Sequence, residues 1–407
     1  MHQPLSTADE NRLLSRITFA TSLGDFLSYF AVLLIIKDLT QDTALAAYSV
    51  AVKTLAIALG GAFFPRVASH RGFRATLIWS QVLSGVLILA LLVLYELRLS
   101  WSTAGVVVLL FLQTVLRQFF DGARESRSRL LGDVGSQRGL QAQLLQGFYS
   151  AQVLGPLLAY FLIGSFNIRW PLALDAMSFF VAAFLCRRVG HDQEIRRYKL
   201  LSPLLSLRKG GPLLWIFLMR SVGMWIPIGI FNFILFSVVT EHYGLDLLKS
   251  AWVYVAIGVG SYMASTWLRL RSGWISERQD STVAVIGFVV LAVTRLAFMK
   301  LPHFHLALGV MALGGICNGA NAVVTQSLRR KFCAPEELPA LMGLEILVGR
   351  LADWGVSTLL LYLFALGLID FRAGIWASVV SLLLLAFAML IFRTKHIDPS
   401  RETASRH

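Results

Sequence analysis

The chain has 407 residues, of which 56% are hydrophobic and only 15% charged, with a mean hydropathy of +0.67, whereas an average soluble domain carries roughly 25% charged residues. These figures exclude disorder, a coiled coil and a secreted disulfide scaffold, and they leave too little polar surface for a soluble enzyme. The net charge of +14 comes from basic residues lying between apolar runs, a pattern that points to a membrane and not to nucleic acid. Three cysteines, Cys186, Cys317 and Cys333, are too few and too scattered for a disulfide framework or a zinc cluster.

A spanning helix needs about 20 mainly apolar residues. The segment Met1 to Arg12 is polar and has no cleavable signal pattern. After it, the sequence predicts twelve spans, at approximately 14–36, 43–65, 75–95, 102–121, 141–165, 169–188, 212–239, 248–268, 281–299, 304–327, 338–367 and 371–392. The fold class expected is an all-α membrane protein of two pseudo-symmetric six-helix bundles. Nothing alternates in the ten-residue pattern of an outer-membrane barrel. With the N-terminus placed in the cytoplasm, the inner segments hold about 25 of the 37 Lys and Arg, as the positive-inside rule requires. Among them are Arg66, Arg71 and Arg74; Arg124, Arg127, Arg129 and Arg138; and Arg329, Arg330 and Lys331. The outer loops hold only Lys37, Arg98, Arg169, Lys249, Lys300 and Arg372. Both termini are therefore expected on the cytoplasmic side.

The longest polar break runs from Gly190 to Gly211 and follows span six. It is read as a cytoplasmic linker at 190–211 between an N-terminal bundle (1–189) and a C-terminal bundle with a short basic tail (212–407). An internal echo supports duplication. Asp121-Gly122-Ala123 at the end of span four is followed by Arg127 to Leu131 and then Leu140-Gln141-Ala142. Asn318-Gly319-Ala320 in span ten is followed by Arg329 to Phe332 and then Leu338-Pro339-Ala340. Parallel repeats of this kind are a transporter architecture.

Three motifs carry a resemblance to a known family. Ser22-Leu23-Gly24-Asp25 in span one is similar to an S-x-G-D signature. Gly155-Pro156 in span five is similar to a glycine-proline motif. Arg169-Trp170, with Leu174-Asp175-Ala176-Met177-Ser178-Phe179, is similar to an R-W-x-F-x-x-D-A-x-S-F run. Together they resemble the major facilitator superfamily, most of all the bacterial efflux branch with enterobactin-type siderophore exporters and macrolide exporters. One departure is in the loop between spans two and three, normally G-x-x-x-D-R-x-G-R-R. Here it reads from Pro65 through Arg71, Gly72 and Arg74, with Ser69 in place of the aspartate. The resemblance implies gating roles for Arg71, Gly72, Arg74, Gly155 and Pro156. It also implies that spans one, four, seven and ten line a central pathway, so that Asp25, Arg117 and Arg220 face it.

Charges inside the bilayer sharpen the expectation, because each costs about 2.5–3.5 kcal/mol at a helix centre on insertion scales and asks for a partner or a cavity. Asp25 and Lys53 fall near the middles of spans one and two, either as a proton or substrate site or as a structural pair. Tyr29, one turn past Asp25, and Trp225 could wall the pathway. Arg350 and Asp353 share a face of span eleven at i, i+3, with Glu345 close to that face. A carboxylate beside an arginine can exchange its proton for its partner, which is the chemistry proton coupling needs. The alternative is a static brace. Arg117 and Asp121, at i, i+4, are read as a gate near the inner end of span four. Asp175 and Arg295, on spans six and nine, are assigned to structure. Asn318, Asn321 and Gln326 are neutral cavity candidates.

No G-x-x-x-x-G-K-[ST] phosphate loop is present, so no cofactor is expected and the proton gradient is the expected energy source. Asp25 in its Gly-Asp context is also similar to the first helix of ferroportin, but that family's Cys and His partners are missing here, so iron is not the expected cargo. The expected function is proton-coupled export of a small amphipathic or carboxylate-bearing compound, such as a siderophore or drug, from the bacterial cytoplasmic membrane. Import of a siderophore-like anion and flipping of a lipid or lysolipid are the alternatives. The expected partners are a small-molecule substrate and membrane lipid, with no nucleic acid and a monomeric chain.

Overall fold

In lipid every backbone N–H and C=O must be bonded within the protein, so apolar runs of this length can only be helices. The computed structural model describes residues 6–40, 43–97, 102–131, 136–190, 222–271, 280–332 and 338–396. Among them are twelve helices long and apolar enough to cross a membrane. They are α1 (Thr7–Thr40), α2 (Thr43–Arg71), α3 (Phe73–Leu97), α4 (Ser102–Leu130), α5 (Gln137–Ser165) and α6 (Arg169–Cys186) in the first half. The second half has α7 (Trp225–Ser237), α8 (Ser250–Leu270), α9 (Asp280–Lys300), α10 (Phe304–Phe332), α11 (Leu338–Ala365) and α12 (Phe371–His396). A π-helical turn, Val238–His242, prolongs α7. The expected linker at 190–211, apart from Gly190, and Arg220 lie outside the described residues.

Several helices overrun the predicted spans at their polar ends. α4 continues through Arg124, Arg127 and Arg129 to Leu130, so Arg117 and Asp121 sit well inside it and not at its end. The expected loop at Pro65–Arg74 is mostly helical as well. α2 runs to Arg71, α3 starts at Phe73, and the turn between them is Gly72 alone, at φ 79. That left-handed conformation is open to glycine and strained for other residues.

The two halves pack alike. α1 lies against α5 and α6, α3 against α4 and α6, and α2 against α4; α7 lies against α11 and α12, α9 against α10 and α12, and α8 against α10. The correspondence holds at single residues. Gly122 of α4 seats against Phe64 of α2, and Gly319 of α10 seats against Ser261 of α8 at the same offset along the chain. That offset also carries the Gly60–Gln118 contact onto Ile257–Gly315. The Asp121-Gly122-Ala123 and Asn318-Gly319-Ala320 echo is therefore a repeat in three dimensions. Its glycines sit where two helices approach too closely for a side chain.

The halves meet chiefly along α2–α11 and α5–α8. On the side where α1 begins, here the near face, Gly61 packs on Ile346 and Gly343 on the Gly61 carbonyl and Pro65. Ser126 there contacts the Met342 sulfur at 3.6 Å, and Gln146 donates to Thr266 Oγ1 at 2.8 Å. Toward the far face, the Tyr29 and Tyr254 hydroxyls lie 3.4 Å apart, Tyr29 packs on Phe236, and Lys249 donates to the Tyr160 hydroxyl at 3.0 Å. The halves thus touch on both sides of the midplane.

Candidate functional site

Within the first half, the charges gather on α1, α2 and α4. Arg117 Nε lies 2.9 Å from Asp25 Oδ2 of α1 and 3.2 Å from Asp121 Oδ2, one turn along its own helix. Its Nη2 donates to Ser22 Oγ at 3.0 Å, and its guanidinium lies 5.1 Å from the Phe120 ring centre. Gln113, one turn before Arg117, donates to Asp25 Oδ1 at 3.5 Å. One guanidinium is therefore shared by two carboxylates.

This changes two sequence expectations. Asp25 does not pair with Lys53, whose ammonium instead sits 4.9 Å above the Tyr29 ring. Arg117 does not lie at the end of its helix. Its long fork reaches α1 because α4 crosses α1 at the depth of Ser22 and Asp25. Lys53 and Asp25 nevertheless face the same small cavity, about 10 Å³, which is close to the room one water needs. Ser28, Tyr29 and Gln113 add polar groups to its walls, and Val32, Leu33, Ile88 and Leu110 line the apolar part.

The charge pattern continues down α4. Arg124 Nη1 lies 3.0 Å from Asp121 Oδ1, Arg124 Nη2 lies 3.6 Å from Glu125 Oε1, and Glu125 Oε2 lies 2.8 Å from Arg129 Nη2. Acids and bases alternate from Asp25 to Arg129. The i, i+3 and i, i+4 spacing of these α4 residues is readable in the sequence, beginning with Arg117 and Asp121. At the near face, Glu10 takes a bidentate bond from Arg127 at 2.7 and 3.2 Å. Asn11 bonds Ser128, Gln143 and the Leu140 carbonyl. The first turn of α1 is thereby tied to α4 and α5.

In the second half, Arg350 Nη1 lies 3.1 Å from Asp353 Oδ2, and Ser357 donates to Asp353 Oδ1 at 3.1 Å. The Arg350 guanidinium lies 3.6 Å from the Trp225 ring centre. Gly349 leaves room for that ring and Gly229 for the Asp353 carboxyl. No hydrogen bond or ion pair among the described residues joins this pair to the Asp25 group. Glu345 is buried on the same helix.

The remaining candidates separate by position. Asn321 turns toward Gly287 of α9 and so packs within the second half. Asn318 and Gln326 are half-buried on α10. Arg71 is exposed and lies 5.4 Å from the Trp79 ring centre, while Arg74 caps the Arg187 carbonyl beyond α6. Gly155 makes room for Phe26 of α1, and Pro156 follows it within α5. Asp175 is fully buried, and Arg295 bonds the Pro227 carbonyl and Ser378. Tyr254, whose hydroxyl meets Tyr29, was not anticipated, because an aromatic residue in an apolar helix carries no signal of its facing.

Comparison with known proteins agrees with this architecture. A sequence profile of the Major Facilitator Superfamily matches residues 14–279. No curated protein matches the sequence. A solved bacterial homologue of the iron transporter ferroportin, in an outward-facing state with soaked iron, superposes with a TM-score of 0.71 at 17% identity, over 94% of this chain and 98% of that one. The human organic anion transporter MFSD10 (TETRAN) gives 0.69 at 13% identity, over 94% and 99%. The proton:xylose symporter XylE gives 0.69 at 12% identity, over 94% and 95%.

Proposed function

Since the chain belongs to the major facilitator superfamily, and is thus an integral membrane secondary transporter and not an enzyme, we propose that it couples the proton gradient to export of a small amphipathic or carboxylate-bearing compound. The observation that carries this reading is Arg117 shared between Asp25 and Asp121. A proton taken by Asp25 cancels its attraction for Arg117 and leaves the guanidinium to Asp121. Loss of that proton draws Arg117 back to α1. One exchangeable proton thus makes or releases the tie between α1 and α4, a two-state element of the kind that alternating access can use.

The near face is taken as cytoplasmic, because its connecting segments hold most of the Lys and Arg, and the membrane as the bacterial cytoplasmic one. The working unit is a single chain surrounded by lipid. The substrate reading rests on Lys53 and Arg350. Lys53 has no carboxylate at ion-pair distance among the described residues, and Arg350 presents its guanidinium against an indole. Both suit an anionic group attached to an apolar or aromatic body. Iron as cargo is not favoured, since no group of three or more His, Cys, Asp and Glu among the described residues is arranged to hold a metal.

The test is flux in proteoliposomes under an imposed proton gradient, screening carboxylate siderophores and amphipathic drugs. Gradient-driven accumulation is expected in the wild type. It is expected to be absent in Asp25→Asn with the folded protein retained. Full accumulation by Asp25→Asn would reject the coupling role.

A further inference from the structure

Asp175 lies midway along α6 with no exposed surface. It enters the α1–α6 contact at Gly24, where any side chain would collide with the Asp175 carboxyl and the Ser178 hydroxyl. Glycine at that position is what admits the carboxyl between the helices. Neither carboxyl oxygen has a partner at full hydrogen-bond geometry. Ser178 donates to the Asp175 main-chain carbonyl at 2.8 Å, and the side-chain donor that faces the carboxyl is the Ser28 hydroxyl, which also lies 3.3 Å from the Asp25 carbonyl.

An ionised carboxylate only accepts hydrogen bonds, whereas a carboxylic acid also donates one. Here the Ser28 hydroxyl is the side-chain donor within reach, too little for a buried carboxylate, while the hydroxyl oxygens of Ser28 and Ser178 can accept from an acid. Burying an isolated ionised carboxylate is far costlier than burying the neutral acid. The surroundings therefore fit the acid form.

The matching helix pair of the second half, α7 and α12, is joined differently. There Ser378 donates to the Pro227 carbonyl at 3.1 Å, and Arg295 of α9 bonds both groups.

The charged groups around Asp175 are few. α1 offers Asp25, with Lys53 and Arg117 behind it. The ionisable side chains of α3, Arg74, Tyr95 and Glu96, lie at its two ends. On α5, Tyr149 packs against Leu268 and Val323 of the other half, and Arg138 and Tyr160 lie toward its ends.

We propose that Asp175 is a second proton-holding acid of the coupling machinery, storing the proton that Asp25 receives when α1 moves against α6. This rests on the proton-coupled reading above. In the transfer, the O–H bond of Asp175 breaks and its electron pair stays on the Asp175 carboxylate. A new O–H bond forms on Asp25, which then releases Arg117 to Asp121. The proton is replaced from the side of the membrane that supplies the gradient.

Infrared spectra of the full-length protein in liposomes test the storage step without a substrate. The carbonyl stretch of a protonated carboxyl, shifting in D2O, is expected in the wild type and in Asp25→Asn and is expected to be lost in Asp175→Asn. Should Asp175→Asn not fold, Asp175→Ser serves in its place with the same expectation. Absence of the band from the wild type, or its persistence in the folded Asp175 variant, overturns the proposal. In transport, the Asp175 variant is expected to keep substrate counterflow and lose at least tenfold of gradient-driven accumulation. Unchanged accumulation would overturn the role of Asp175 alone, whereas unchanged accumulation in Asp25→Asn would overturn the coupling reading itself.

Discussion

Arg117 Nε stands 2.9 Å from Asp25 Oδ2, tying the middle of α4 to the middle of α1. Removing one member of such a pair strands the other charge among buried neighbours, at about 3–5 kcal/mol. Arg117→Gln leaves Asp25 and Asp121 without their common cation and is expected to lose that order of stability in thermal unfolding of the purified protein. Adding Asp25→Asn to Arg117→Gln is expected to restore much of it, because the stranded carboxylate is then gone. No recovery in the double variant would show that Asp25 does not sense Arg117.

The Arg350–Asp353 pair offers a parallel test in the other half. Asp353→Ala is expected to destabilise by a similar amount, since Arg350 would keep only the Trp225 ring. Arg350→Met combined with Asp353→Leu is expected to fold at near wild-type stability and to lose substrate binding. Binding measured by isothermal calorimetry separates these outcomes, and unaltered affinity in the double variant would remove Arg350 from the substrate site.

At the near face the Ser126 hydroxyl of α4 lies 3.6 Å from the Met342 sulfur of α11. With Cys186, Cys317 and Cys333 replaced, Ser126→Cys with Met342→Cys is expected to cross-link on oxidation and stop transport, with recovery on reduction. Transport that continues in the cross-linked protein would show that α4 and α11 need not part at this face.

On the far side, Tyr29→Phe removes the hydroxyl contact with Tyr254. A neutral hydrogen bond is worth about 1 kcal/mol net, so folding is expected to be intact. The population open to the far face is expected to rise about fivefold, read by spin-label distances across α1 and α8. An unshifted distance distribution would mean that the ring stacking, and not the hydroxyl pair, holds this side together.

The sequence made different parts of this arrangement legible to different degrees. Twelve spans and the glycine echo could be read because bilayer thickness and close helix contact leave periodic signatures in one dimension. Arg350 with Asp353, and Arg117 with Asp121, could be read because neighbours on one helix are set by its 3.6-residue turn. The partner of Asp25 could not, because it depends on how α1 is rotated and tilted against α2 and α4. Sequence adjacency favoured Lys53, and the reach of the Arg117 side chain settled the matter otherwise. The length of α4 was cut short for another reason: hydropathy marks where lipid ends, and the helix continues past that boundary on its own alternating charges.

The clasp of Glu10 and Asn11 on Arg127, Ser128, Leu140 and Gln143 bears on how the protein is made. A nascent chain inserts its first segment long before the ribosome has delivered those partners. Until then Glu10 and Asn11, which precede the apolar run of α1, are met by water at the membrane surface, and the helix gains these ties only when the fifth segment arrives. Biogenesis of the first half is in this sense a single late event, and truncations that stop short of residue 143 are expected to leave its leading helix undocked.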